Sequence, residues 1–295
     1  MITVTNLTIQ FGKRVLYKDV NLKFTNGNIY GIIGANGAGK STFIKLLAGI
    51  FLQDKGEVRV HGVSNRSKKI NSLVKFVLES GQGLYSYLTA MENLQYFIGL
   101  NGIALSHIKA EVDALCDQLA FTPYKDTLVS ELSQGNRQKL TLILALVQKP
   151  KVLCLDEPTN GLDLLAKKQL MTLLQDYARH HQASVFITSH DASFIKKISN
   201  RVVLIQEGRI YRDGTFEEIF GTVHQHEVYH LLLAKSAESV LRQSFLELDY
   251  KVLEDGISIE TRNPAFYRRL LEETEVLQFS REPASLEDLL YEVLK

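Results

Sequence analysis

Residues Gly34 to Ser41 read Gly-Ala-Asn-Gly-Ala-Gly-Lys-Ser. This stretch restricts the fold more than any other, because the pattern G-x-x-x-x-G-K-[ST] works only between a strand and a helix. The flanks supply both. Asn28-Ile-Tyr-Gly-Ile-Ile33 is a short apolar run suited to a buried strand, and Phe43, Leu46 and Leu47 follow at helical spacing. Gly34, Gly37 and Gly39 lack a Cβ, so the backbone can curl and turn its N–H groups into a concave nest for anionic oxygens. The helix starting at about Lys40 adds the positive end of its dipole. In such a loop Lys40 reaches the β- and γ-phosphates of a nucleotide, and the Ser41 hydroxyl binds Mg²⁺. Asn36 and Thr42 join these residues as expected nucleotide contacts.

The chain has 295 residues, 45% of them hydrophobic. That suffices for one large domain, or for one domain with a smaller companion. The net charge of +1 gives no global field favouring nucleic acid or an anionic membrane. Cys116 and Cys154 stand far apart in apolar surroundings and are expected as small core residues of a reducing compartment rather than as a disulfide. The opening MITVTNLTIQF alternates in polarity and reads as a strand, not a signal peptide. The longest apolar stretch, Leu140 to Val147, is far too short to cross a bilayer. The expectation is a soluble chain whose membrane role comes through a partner.

Ile2, Val4, Leu7, Ile9 and Phe11, then Val20, Leu22 and Phe24, fall largely on alternate positions and predict half-buried strands. Gly56 to Gly62 is a further short strand. Thr89-x-x-Glu92 is a capping box, with Leu94, Phe97 and Ile98 behind it at helical spacing. Ile108, Val112, Leu115 and Leu119 mark one face of another helix. Residues from about 85 to 145 therefore read as a mostly helical insert. Within it, Leu132-Ser-Gln-Gly-Asn136 precedes a helix whose expected buried face is Leu140, Ile143, Leu144 and Val147, with Pro150 as its stop. Ser133 is placed to cap that helix, and Gly135 leaves the first-turn backbone open to a phosphate. Val152-Leu-Cys-Leu155 is a buried strand ending in Asp156-Glu157. Two adjacent carboxylates there are costly without a cation or solvent.

Taken together these motifs resemble the ATP-binding subunit of an ABC transporter, in order and spacing over roughly the first 220 residues. Leu132-Ser-Gln-Gly-Asn136 resembles the LSGGQ signature, and Val152 to Pro158 resembles the Walker B strand with its adjoining glutamate. Asn160-Gly-Leu-Asp163 resembles the D-loop, and Val185 to His190 the switch-histidine strand. The resemblance implies an α/β fold, a P-loop NTPase of ABC type with a helical insert, in residues 1–220. It further implies ATP sandwiched between two such domains, the phosphate loop of one facing the signature of the other. The second ATPase subunit is an identical copy or a relative, and an integral membrane permease is the further partner. It implies a place on the cytoplasmic face of the membrane and no nucleic-acid partner. Phe11 resembles the aromatic that stacks on adenine. Asp156 would hold Mg²⁺ through water, Glu157 would orient the attacking water, and His190 would contact the γ-phosphate. Ser133 and Gly135 would close on the γ-phosphate of the opposing nucleotide. The chemistry is in-line attack of water on phosphorus, helped mainly by positioning and charge.

Two departures stand out. The family's glutamine before the helical insert is replaced by Glu79 or Ser80, with Gln82 slightly later; Glu79 is favoured as the substitute Mg²⁺ ligand. In the signature, Gln134 replaces glycine and Asn136 replaces glutamine, while the phosphate-facing Ser133 and Gly135 are kept.

After a predicted hairpin over Arg201 to Gly214, with its turn at Glu207-Gly208, residues 221–295 read β-α-β-β-α-β. That order predicts a small C-terminal α/β domain of split βαβ type, closed by a helix opening at Ser285-Leu-Glu-Asp288. A similar tail on exporter-type relatives of the ABC-2 class points to export and to a role in regulating or stabilising the dimer. His224, His226 and His230 with Glu227 fit no standard zinc spacing, and Arg66, Lys68 and Lys69 read as a solvated loop. The competing functional reading is a soluble ATPase of the same type acting on ribosomes or nucleic acid. Its usual marks, fused ATPase domains, long heptads or CxxC pairs, are missing from this sequence.

Overall fold

Ile2 and Val4 are buried, and the next inward residue is Leu7, not residue 6. The step of three marks a bulge at Asn6 (φ 48°), which shifts the register of β1 (Ile2–Phe11) against its neighbour and restores alternation at Leu7 and Ile9. β1 pairs antiparallel with β2 (Arg14–Phe24) and with β4 (Lys55–Val60). β5 (Val63–Ser64) completes a four-stranded sheet in the order β2-β1-β4-β5. The computed structural model describes residues 1–78, 83–206, 209–221, 227–245, 248–261, 263–283, 290 and 293. The chain divides into two units, Met1–Phe216 and Glu217–Lys295.

A second sheet of the first unit runs β10-β9-β3-β8-β7-β6. Its strands are β3 (Ile29–Ile33), β6 (Val74–Val77), β7 (Val152–Asp156), β8 (Ser184–Thr188), β9 (Arg201–Gln206) and β10 (Arg209–Gly214). All neighbours are parallel except β9 and β10. β3 and β8 are buried along their whole length, as continuous apolar runs in a parallel sheet require. Phe24 of the first sheet meets Tyr30 and Phe186 of the second edge-on, at 4.9 Å each, and those two rings stack at 5.0 Å. These aromatics fasten the two sheets together.

Helix α1 (Lys40–Leu47) buries Phe43, Ile44, Leu46 and Leu47; α2 (Ile70–Leu73) is a single turn before β6. In the helical insert, Thr89 caps α3 (Ala90–Gly99) and both bonds of the capping box with Glu92 form. α4 (Lys109–Gln118) buries Val112 and Cys116. One expectation needs correction in α5 (Gln134–Leu146). A single buried face was predicted, but Leu140, Thr141, Leu142, Ile143, Ala145 and Leu146 are all buried and Leu144 only partly so. The helix is surrounded by α3, α4 and β6, and tertiary packing of that kind erases an amphipathic stripe. α6 (Leu164–His181) and α7 (Ala192–Ile198) are capped by Asp163 and Asp191, and α8 (Phe216–Phe220) follows β10. Cys116 and Cys154 are free and buried. Burial pushes the Cys116 thiol up to about 11. Among the described residues no helix is long and apolar enough to cross a membrane.

The second unit contains β11 (Glu227–Leu233), α9 (Glu238–Ser244), β12 (Tyr250–Val252), β13 (Ile257–Thr261), α10 (Pro264–Glu273) and β14 (Val276–Pro283). The sheet order is β12-β13-β11-β14, antiparallel throughout, the interleaved order of a split βαβ unit. Tyr229, Leu231 and Leu233 alternate into a core with Leu241, Phe245, Ile257, Ile259 and Leu270. Asn263 caps α10, its Oδ1 accepting from the Ala265 N–H at 2.9 Å. The predicted turn at Glu207-Gly208 and the helix at Ser285 to Asp288 lie outside the described residues. So do His224 and His226. Among the described residues no cluster of His, Cys, Asp and Glu has the make-up of a metal site.

Candidate functional site

The parallel sheet delivers three loops to one crevice, from the C-terminal ends of β3, β7 and β8, the usual place for a ligand in an open α/β sheet. The loop after β3 ends at Gly39, which takes φ +106°. A Cβ on Gly39 would lie 2.7 Å from Tyr17 Oη. Tyr17 is fully buried and its hydroxyl donates to the Gly39 carbonyl at 2.9 Å. Arg14 Nη2 donates to the Gly37 carbonyl at 3.3 Å. Lys40 Nζ lies along the loop and donates to the Gly34 and Ala35 carbonyls at 2.9 and 3.2 Å. Asn36 is exposed at the tip and Thr42 half-buried in the first turn of α1.

Asp156 ends β7. Its Oδ1 accepts from Ser41 Oγ at 2.8 Å and from Thr188 Oγ1 at 2.7 Å. The next residue, Glu157, has φ +49°, a left-handed conformation that costs a non-glycine residue about 1–3 kcal/mol. Its N–H donates to Thr188 Oγ1 at 3.0 Å. Its carboxylate reaches the residue after β8 in two ways: Oε1 is 3.3 Å from His190 Nε2, and Oε2 accepts the His190 N–H at 3.3 Å. The Glu157 side chain is 12% exposed and that of His190 54%. Burial raises the Glu157 carboxyl above its ordinary range, against the opposing pull of His190 and Lys40. The structure therefore brings Lys40, Ser41, Asp156, Glu157 and His190 into one connected cluster. Arg14, Tyr17 and Thr188 belong to it as well, and the motif reading did not point to them.

Ser133 and Gly135 sit elsewhere. Ser133 Oγ accepts the Asn136 N–H at 3.2 Å and caps α5. A Cβ on Gly135 would approach the Gly161 carbonyl oxygen to 2.6 Å, so the start of α5 is packed directly on the turn at residues 160–163. Alanine at 135 has to push these two backbones apart, because neither can yield. The expected outcome for Gly135→Ala is a drop in ATP turnover of about tenfold or more, with nucleotide binding by the single subunit retained. Turnover at the wild-type rate would show that this contact does not matter. Phe11 is exposed at the end of β1 and touches Phe51. Glu79, Ser80 and Gln82 lie outside the described residues.

Residues 17–160 match the family model described as ABC transporter. The bacitracin transport ATP-binding protein BcrA of Bacillus licheniformis is 31% identical over 259 residues, 87% of this chain and 83% of that protein. The ABC transporter ATP-binding protein NatA of Bacillus subtilis is 28% identical over 246 residues, 81% of this chain and all of that protein. Among solved structures, the dimeric ABC transporter cassette MJ0796 superposes with a TM-score of 0.67 at 23% identity, covering 73% of this chain and 98% of that one. The chain belongs to the family of ABC transporter ATP-binding proteins.

Proposed function

We propose that this protein binds ATP between two ATPase subunits and hydrolyses it to drive export through a separate membrane permease. The connected cluster at the phosphate loop carries this reading. Ser41 and Asp156 present hard oxygen donors side by side, which suits a small divalent cation. Bound Mg²⁺ would neutralise charge on the phosphate oxygens. Lys40 and the loop N–H groups bind the phosphates, Glu157 accepts a proton from or orients the attacking water, and His190 fixes the Glu157 carboxylate while facing the γ-phosphate. Glu79 is the proposed further metal ligand.

A two-subunit site is supported by the placement of Gly135 against the turn at residues 160–163, with Ser133 capping the same helix, rather than on the phosphate loop. Leu164 and Leu165, highly exposed just beyond that turn, suit burial against a second subunit. Export is supported by the extent of the similarity. The match with the bacitracin transport protein covers 87% of this chain and so takes in more of the second unit than the matches with sulfate/thiosulfate import proteins, which cover 74–78%. Residues 221–295 then form an accessory domain that regulates or stabilises the dimer. The protein works at the cytoplasmic face of the membrane. Co-purification with a polytopic membrane protein, with ATPase activity that rises in the complex, is the expected result; binding instead to ribosomes at physiological salt would overturn the transport reading.

The permease contact falls at the start of the helical insert. Tyr85 stacks on Phe97 at 5.6 Å and meets Tyr96 edge-on at 5.0 Å, and Tyr87 stands largely free of the fold. Replacing Tyr85 and Tyr87 together by Ala is expected to cut transport about tenfold or more, as loss of an aromatic hot spot does, while ATP binding stays unchanged. Transport assayed in vesicles, beside nucleotide titration of the purified subunit, checks this.

A further inference from the structure

An exposed aromatic pair, Phe11 and Phe51, stands beside the phosphate loop, and Phe51 has no role in the reading above. Phe11 is 48% exposed at the end of β1, and Phe51 is 39% exposed just beyond α1. Their rings meet edge to face, with centroids 6.1 Å apart and planes at 74°. Lys45 Nζ stands 5.9 Å from the centroid of the Phe51 ring.

The backbone around the pair is held from both sides. Ile50 and Phe51 donate to the Lys45 carbonyl at 2.9 and 3.3 Å, which ties the loop to the end of α1. Asp54 N donates to the Thr8 carbonyl at 3.0 Å, and Asp54 Oδ2 accepts the Gln10 N–H at 2.7 Å. Residues 50–54 thus clasp the last residues of β1. Across the hairpin, Arg14, which pairs with Phe11, bonds to the Gly37 carbonyl. The hairpin tip carrying Phe11 is therefore fixed at two points, the phosphate loop and the segment after α1. An exposed aromatic ring at a strand end otherwise keeps much of its rotational freedom, which a ligand must remove on binding. The edge-to-face contact removes part of it in advance.

We propose that Phe51 is a positioning residue for the purine ring: it holds Phe11 in the plane on which the base stacks. Helix α1 then serves the nucleotide from both ends, the phosphates from its first turn and the base through the loop that follows it. This rests on the reading of Phe11 as the base-stacking aromatic.

Calorimetric titration of the full chain separates the two ideas, with magnesium ATP and with magnesium tripolyphosphate, which has phosphates but no base. In Phe51→Ala the Kd for ATP is expected to rise about two- to tenfold, the worth of one aromatic pair, while the Kd for tripolyphosphate is unchanged. Phe51→Tyr should restore ATP affinity. Phe11→Ala should show the same pattern with a larger loss. Equal weakening of both ligands in Phe51→Ala would mean a general structural role and overturn the proposal, as would unchanged ATP affinity in that variant when Phe11→Ala loses it. Unchanged ATP affinity in Phe11→Ala would instead remove the base-stacking reading itself.

Discussion

Replacing Glu157 by Gln is expected to slow ATP hydrolysis by about 10²–10⁴-fold, the usual worth of a positioned general base, while ATP binding and ATP-driven dimerisation persist. The amide keeps the size and the backbone turn of residue 157 but cannot accept a proton from water. Steady-state phosphate release and light scattering with ATP measure the two arms, and full turnover in the variant would mean that the water-orienting group is another residue. The same substitution has a stability signature. Burial raises the Glu157 carboxyl in the folded protein above its ordinary value of 4.5, so the folded state binds that proton more tightly than the unfolded chain. The associated stability is fully present below the ordinary value and is lost as pH rises through the raised one. At about pH 7 the ionised, buried carboxylate is therefore a cost that Gln does not carry. The nucleotide-free Glu157→Gln protein should melt above wild type near neutral pH, with the difference shrinking on acidification. A gap that widened towards acid would contradict this sign.

Gly39→Ala is expected to damage both folding and binding. The left-handed backbone at φ +106° costs an L-residue about 1–2 kcal/mol. The added methyl would also stand 2.7 Å from Tyr17 Oη, in a site with no room to yield. Either α1 moves or Tyr17 does, and the phosphate nest opens. ATP affinity should fall about tenfold or more, at roughly 1.4 kcal/mol per tenfold, and the melting temperature should drop by several degrees. Adding Tyr17→Phe removes the nearest atom but leaves the ring carbon at 3.1 Å and the strained φ, so recovery should be partial. Wild-type affinity in the single variant would show that the loop tolerates a side chain there.

What the sequence disclosed was mostly local. The phosphate loop, the capping box at Thr89 and Glu92, the cap at Ser133 and the Asp156-Glu157 strand end each depend on residues within a few positions, and each stood in the order one family uses. The interleaved sheet of the second unit followed from its alternation of strands and helices. Contacts set by distant parts of the chain were not legible. Arg14 and Tyr17 reach the loop from 23 and 22 residues upstream, and Thr188 reaches Asp156 across 32 residues. Each pairing depends on how strands are ordered in the sheets, and no spacing in the sequence encodes that. The misjudged face of α5 has the same origin: Leu142 and Leu146 are buried by what surrounds the helix, not by its own pattern.

Thr188 carries more than its size suggests. One oxygen both gives a hydrogen bond to Asp156 and takes one from the backbone of Glu157, and it belongs to the strand that leads into His190. Any shift of that strand therefore moves the Asp156 and Glu157 carboxylates and the His190 ring together.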